Sequence, residues 1–132
     1  MHMYPVITLY NFLEHTLKHL GDPAYQERVW INHTGKEVDD YDEAIMHFME
    51  KCEDILAYPN CYEGMDAIIQ ETLKDLYDKV CKFDDEIASN FPEGKEHEVI
   101  NTPEWHEIQS LASRAHEIIK NNLKEKNYEC EQ

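Results

Sequence analysis

Between Met65 and Asn90 the apolar residues Ile69, Leu73, Leu76, Val80, Phe83 and Ile87 recur in alternating steps of four and three. Only an α-helix returns side chains to one face at that interval, because its 3.6 residues per turn make i, i+3 and i+4 neighbours. A helix over 65–90 would run about 39 Å at 1.5 Å per residue. A one-sided apolar stripe of that length has to be buried against other helices. The pattern therefore predicts one long central helix acting as the spine of a helical bundle.

Three further segments carry the same period. Val6, Leu9, Leu13, Leu17 and Leu20 mark a helix from Pro5 to Leu20, and Gly21 follows where a helix C-cap favours positive φ. Asp40 or Asp42 caps a second helix with the core stripe Ile45, Phe48, Cys52, Ile55 and Leu56. Further acids in its first turn face the positive end of the helix dipole. The stretch "YPNCYEG", residues 58–64, ends this helix, since Pro59 biases Tyr58 away from the α region. "NTPEWHEI" opens a last helix with Thr102 as N-cap and Pro103 in the first helical position. Trp105, Ile108, Leu111, Ala112, Ala115, Ile118, Ile119 and Leu123 supply its buried face.

Residues 22–41 lack the period. Val29, Trp30 and Ile31 read either as a short strand with a turn at "HTGK" or as a loop pinned by the indole, and the stretch is taken as irregular. "FPEGKEHEVIN", residues 91–101, reads as a polar connector. A chain of 132 residues that is 42% hydrophobic suits one core. The expected architecture is all-α, a single-domain bundle of about four amphipathic helices over residues 1–126, with 127–132 a frayed C-terminal tail.

Charge then narrows the partners. Lys and Arg number 12 against 28 Asp and Glu, a formal balance of −16. Such a surface repels phosphate backbones and anionic lipid heads, both of which need cations to displace counterions, so no direct nucleic-acid or membrane partner is expected. No apolar run reaches the length of about 20 residues that spans a bilayer. The opening "MHMYPVITLYNFLEH" has neither a basic start nor a small-residue cleavage site, so a cytoplasmic location is expected. The four cysteines, Cys52, Cys61, Cys81 and Cys130, form no CxxC pair and are expected to stay reduced.

Signatures of catalysis are missing. His15 and His19 stand at the i, i+4 spacing that puts two imidazoles on one helical face, and Glu14 and Glu43 are the carboxylates able to complete a zinc site from nearby helices. No Glu-x-x-His repeat of the di-iron bundle type accompanies them, so solvated histidines beside an apolar stripe are the expected reading and no cofactor is assigned. Thr34, Ser89 and Thr102 stand near turns without an evident base, and Thr102 already serves as a cap. Cys61 is the candidate reactive thiol, yet surrounding negative charge disfavours thiolate. "DDYDE" lacks the glycine and terminal glutamate of an EF-hand loop, and the 4 glycines form neither GxGxxG nor a P-loop. With so many acids, close carboxylate pairs arise by chance and identify no general acid or base. The chain is not expected to be an enzyme.

The acids are unevenly spread. Residues 37–98 hold nineteen acids and five lysines, a balance of −14, which leaves the two ends close to neutral. On the second helix, Glu43, His47, Glu50 and Asp54 fall on the face opposite Ile45, Cys52 and Leu56. On the long helix Glu71, Asp78 and Asp85 also point outward, diluted by Lys74 and Lys82. An acidic face is often only a solvated face. Here it adjoins Tyr58 and Tyr62, a pairing suited to an interface in which aromatics anchor and charges steer, with ring packing inside the fold as the competing role. The partner-binding candidates are Asp39, Asp40, Glu43, Glu50, Glu53, Asp54, Tyr58 and Tyr62.

In type, the chain resembles the small acidic immunity proteins that neutralise nuclease toxins of the colicin and contact-dependent growth inhibition kind. "DILAYP", residues 54–59, is similar to the Asp-Leu-Ile-Tyr-Tyr-Pro segment by which DNase-colicin immunity proteins grip their toxins, with Ala57 in place of the first tyrosine. That resemblance implies a basic toxin domain as partner and interface roles for Asp54, Tyr58 and Pro59. Two other classes stay in view. A nucleic-acid mimic would need long, evenly charged rows, which Lys74, Lys79 and Lys82 interrupt, and a small metalloprotein would use His15 and His19.

Overall fold

The structure, a computed structural model, describes residues 3–37, 39–92 and 95–128. It is all-α. Helix α1 covers 6–20, assembled from Val6–Phe12, a π-type turn over Leu13–Leu17 and a last turn Lys18–Leu20. Helix α2 covers 23–31, from Pro23–Tyr25 and a π-type stretch Gln26–Ile31. Then come α3 (Tyr41–Ala57), α4 (Ala67–Glu86), the short α5 (Glu96–Val99) and α6 (Pro103–Glu125). Among the described residues the sole extended pairing is an isolated parallel bridge between Tyr4 and Tyr62. No helix among them is long and apolar enough to cross a membrane.

Helix direction follows from what meets at one end. The Tyr4 amide donates to the Cys61 carbonyl at 2.7 Å, and the Glu63 amide returns a bond to Tyr4 at 2.9 Å. Lys126 at the end of α6 reaches the Asp66 carboxylate at 2.9 Å before α4 begins. The start of α1, the end of α3, the start of α4 and the end of α6 thus share this base. Since α1 packs on α3, α3 on α4, α4 on α6 and α6 back on α1, each helix is antiparallel to its neighbours, an up-and-down four-helix bundle. Helices α2 and α5 pack together across the opposite end.

The apolar stripes fill the interior as their spacing predicts. Leu9, Leu13, Leu17, Phe48, Cys52, Ile69, Leu73, Val80, Trp105, Ala112 and Leu123 are all buried. Leu56 and Leu111 are only half-buried, and Ile118 stays on the surface. Three N-caps set the starts of the main helices: Asp40 accepts from the Glu43 amide at 2.8 Å, Asp66 from Ile69 at 3.0 Å and Thr102 from Trp105 at 3.1 Å. Each satisfies an amide that the helix leaves unpaired.

Five sequence expectations need correction. Residues 23–31 are helical, capped by Asp22, whose carboxylate accepts from the Tyr25 amide at 3.1 Å. Gly21 has φ −98°, so it is not a left-handed cap. Its missing side chain matters because a Cβ there would lie 2.7 Å from the Ser113 backbone nitrogen of α6. Helix α4 has 20 residues, about 30 Å, and a separate 3-10 turn at Ala88–Asn90 follows it. The longest helix is α6, with 23 residues. The connector after α4 includes α5, and its Val99 and Ile100 are buried. Finally, Asn127 and Tyr128 are not frayed. Asn127 adopts φ +68°, while the amides of Tyr128 and Asn127 bond back to Leu123 and Lys124 at 2.9 and 3.0 Å, a Schellman closure. Residues 129–132 lie outside the described residues.

The α2 end of the bundle is held by polar groups that are fully used. Gln26, completely buried, donates to the carbonyls of His19 and Leu20 at 3.0 and 2.8 Å. Its own oxygen accepts from the Trp105 indole at 2.8 Å and from Gln109 at 2.7 Å. The carbonyls of His19 and Leu20 at the C-terminus of α1 are satisfied, and a core polar side chain leaves no orphan.

Candidate protein-interaction surface

Helix α3 presents its apolar stripe inward, so the remaining positions face out together. Glu43, Met46, Glu50, Glu53, Asp54 and Ala57 are all exposed. Tyr58, just beyond the helix, is 68% exposed, the largest value among the exposed big hydrophobic residues, and Met46 is 45% exposed. Glu43 lies 3.8 Å from the His47 imidazole. Glu53 accepts the Tyr77 hydroxyl at 2.9 Å, and that bond, more than burial, pushes the Tyr77 phenol up. The Glu50 and Asp54 carboxylates have no hydrogen bond or ion pair within the described residues.

The negative field extends onto the adjoining flank of α4. Burial first raises the Cys81 thiol, and Asp85, Glu53 and Asp78 all add to that shift, so carboxylates from two helices converge around it. Asp78 is itself paired with Lys74 at 3.2 Å. Beyond Asp54 the surface folds into an open groove of about 480 Å³ between α1 and α3, lined among others by Tyr4, Asn11, His15, Lys51, Asp54 and Tyr62. Tyr62 is half-buried and stacks on Tyr4 with ring centroids 4.9 Å apart. Burial, then Tyr4 and Asp54, raises its phenol.

The eight predicted partner-binding residues therefore divide. Glu43, Glu50, Glu53, Asp54 and Tyr58 share the outer face of α3 and its end. Tyr62 forms the neighbouring groove wall. Asp40 is the N-cap of α3. Asp39 is an internal acceptor: its Oδ2 takes the Tyr25 hydroxyl and the Trp30 indole, both at 3.0 Å. Pro59, implied by the resemblance, is half-buried in the turn after Tyr58. Sequence reasoning missed Met46 and the groove residue Tyr4. Met46 was readable, because it stands one turn before Glu50 on the same face.

His15 is exposed, while His19 stacks on Tyr25 with centroids 3.8 Å apart. Glu14 is held by Lys120 at 3.0 Å, His116 at 3.4 Å and Lys18 at 3.8 Å. Among the described residues no group of three or more His, Cys, Asp or Glu is placed to hold a metal ion. Cys52 and Cys81 form no disulfide, and burial pushes their thiols up, away from nucleophilic thiolate. The hydroxyls of Thr34 and Ser89 bond to backbone carbonyls of Arg28 and Asp85. Comparison with protein-family models, with characterised proteins and with solved structures finds no match to this chain.

Proposed function

We propose that this protein is an immunity-type inhibitor, which uses the outer face of α3 and the turn after it to dock on a basic toxin domain and block that domain's active site or substrate groove. The observation that carries the reading is the combination of two unpaired carboxylates, Glu50 and Asp54, with the most exposed large aromatic, Tyr58, on one rigid helix end. Unpaired charge on a surface already repelling itself costs folding stability, and a cationic partner offsets that cost. Complementary fields raise association rates by roughly 10-fold to 10³-fold, and a tyrosine brings contact area at low entropic cost. The α3 backbone is capped and packed on both sides, so the surface is presented without rearrangement.

The reading predicts a gene neighbour encoding a large protein that ends in a basic toxic domain. Co-production with that domain should restore growth to cells the domain otherwise kills. The variant Glu50→Lys/Asp54→Lys should lose protection while keeping its helical circular dichroism. A basic neighbour domain whose toxicity is unaffected by this protein would contradict the proposal.

A further inference from the structure

The seam between α4 and α6 lies across the bundle from the α1–α3 seam, and its surface has a different character. Two shallow grooves of about 160 and 250 Å³ run along it and meet at Lys79. Leu111 and Ile118 line the first, and Phe83, Ile87 and Ile108 the second. The charged residues on their rims are Asp75, Lys79, Lys82, Glu86, Glu104, Glu107 and Arg114. Three bases against four acids leaves this face within one charge of neutral on a chain of −16. None of the Asp75, Lys82, Glu107 or Arg114 side chains has a hydrogen bond or ion pair within the described residues.

Their order along the helices is self-complementary. Asp75 and Lys82 on α4 are seven residues apart and opposite in sign, as are Glu107 and Arg114 on α6. A two-fold axis lying across the helices would turn α4 against α4 and α6 against α6 in antiparallel fashion. Asp75 of one copy would then face Lys82 of the other, and Glu107 would face Arg114, each contact made twice. This requires both midpoints to lie at one height. The midpoints fall between 78 and 79 on α4 and between 110 and 111 on α6. The observed register, with Phe83 beside Trp105 at 5.3 Å and Asp66 bonded to Asn122 at 3.0 Å, sets 78–79 opposite 109–110, within one residue of the requirement.

We infer that the α4–α6 seam is a homodimer interface in which a second copy of this chain packs about such a two-fold axis, with Asp75–Lys82 and Glu107–Arg114 pairs on either side of Leu111. Like-charge repulsion does not forbid it. The unpaired acids of α3 lie at least one helix layer away, about 8–10 Å, and salt screens over about 8 Å at physiological ionic strength. The inference does not depend on the proposed function, because the α3 face stays open in the dimer.

Analytical ultracentrifugation from micromolar to near-millimolar protein tests it. The wild type should approach twice its mass of 15.7 kDa. Asp75→Lys should raise the dimer dissociation constant at least ~10-fold, although it lowers the overall negative charge, and Asp75→Lys/Lys82→Asp should restore it to within a few-fold. Arg114→Glu and Arg114→Glu/Glu107→Arg form an independent second pair with the same expected loss and recovery. A wild type that stays monomeric throughout overturns the inference. So does a dimer that neither single variant weakens, or folded charge swaps that fail to recover what the single variants lose.

Discussion

Asp39 and Asp54 come from the same acidic stretch, yet the bundle treats them oppositely. Asp39, with Gln26, belongs to an end where each buried polar atom is spoken for: Asp39 takes the Tyr25 hydroxyl and the Trp30 indole, and Gln26 joins α1, α2 and α6. Asp54, with Glu50, stands on the outside of α3, and neither carboxylate has a partner among the described residues. The first arrangement specifies the fold, because removing one member leaves others desolvated and unsatisfied. The second contributes nothing to the fold and costs a little through repulsion. Polar residues that the structure uses and polar residues that it leaves unused can thus be told apart by their partners, although their residue types are the same.

Mutations should separate the two regions by size of effect. Gln26→Leu orphans two carbonyls of α1 and the Trp105 indole, and should cost about 3–5 kcal/mol in denaturant unfolding. That would be a large part of a typical stability of about 5–15 kcal/mol. Asp39→Ala should cost about 2–3 kcal/mol by leaving the Tyr25 hydroxyl and the Trp30 indole unpaired, whereas Asp39→Asn keeps an acceptor and should cost less than about 1 kcal/mol. If Asp39→Ala were silent, the contrast between the two regions would fail on its structural side. Asp66→Ala removes the α4 cap together with its bonds to Lys126 and Asn122, and should cost about 1–2 kcal/mol. At the other extreme, Glu50→Lys/Asp54→Lys should change unfolding free energy by no more than about 0.5 kcal/mol, in either direction.

Acidity gives a further, smaller contrast. Burial lowers the His116 pKa against the raising effect of Glu14, and burial likewise lowers that of His19. The unfolded chain, with histidines near 6.5, therefore binds more protons than the folded one as pH falls from about 6.5. Stability present above that pH is lost through the window down to the lowered folded values. His116→Gln should flatten the slope of unfolding free energy below about pH 6.5. An unchanged slope would show that this seam histidine titrates as it does in the unfolded chain.

Much of the fold was legible because helices α3, α4 and α6 bury stripes with the regular period, and their caps, Asp40 and Thr102, occur in recognised local patterns. What was hidden followed from departures from that period. Tyr25, Gln26, Val29 and Trp30 do form one buried face. However, a glutamine in the stripe and the consecutive apolar run Val29–Trp30–Ile31 disguised it, and the π-type turn shifts the phase. At the end of α4, Ile87 continues the apolar period through a change to 3-10 geometry, since periodicity reports which face is buried and not which hydrogen bonds are made. Gly21 was recognised as special for the wrong reason, because a close approach by α6 is invisible without the partner helix. On the candidate surface, helical spacing alone placed Glu43, Glu50 and Asp54 together. Nothing local marked Asp39 as an internal acceptor, because its donors come from α2, the helix that went unread.

The central claim is that the unpaired acids of α3 exist to meet a cationic protein. Calorimetric titration with the basic toxin domain that the proposal requires tests it most directly, using wild type, Glu50→Lys/Asp54→Lys and an equal-charge control, Glu117→Lys/Glu125→Lys, on the exposed side of α6. The account predicts that the α3 variant loses affinity by about 100-fold or more, while the control stays within a few-fold. Equal losses in both variants would mean that net charge alone governs binding and that α3 holds no dedicated surface.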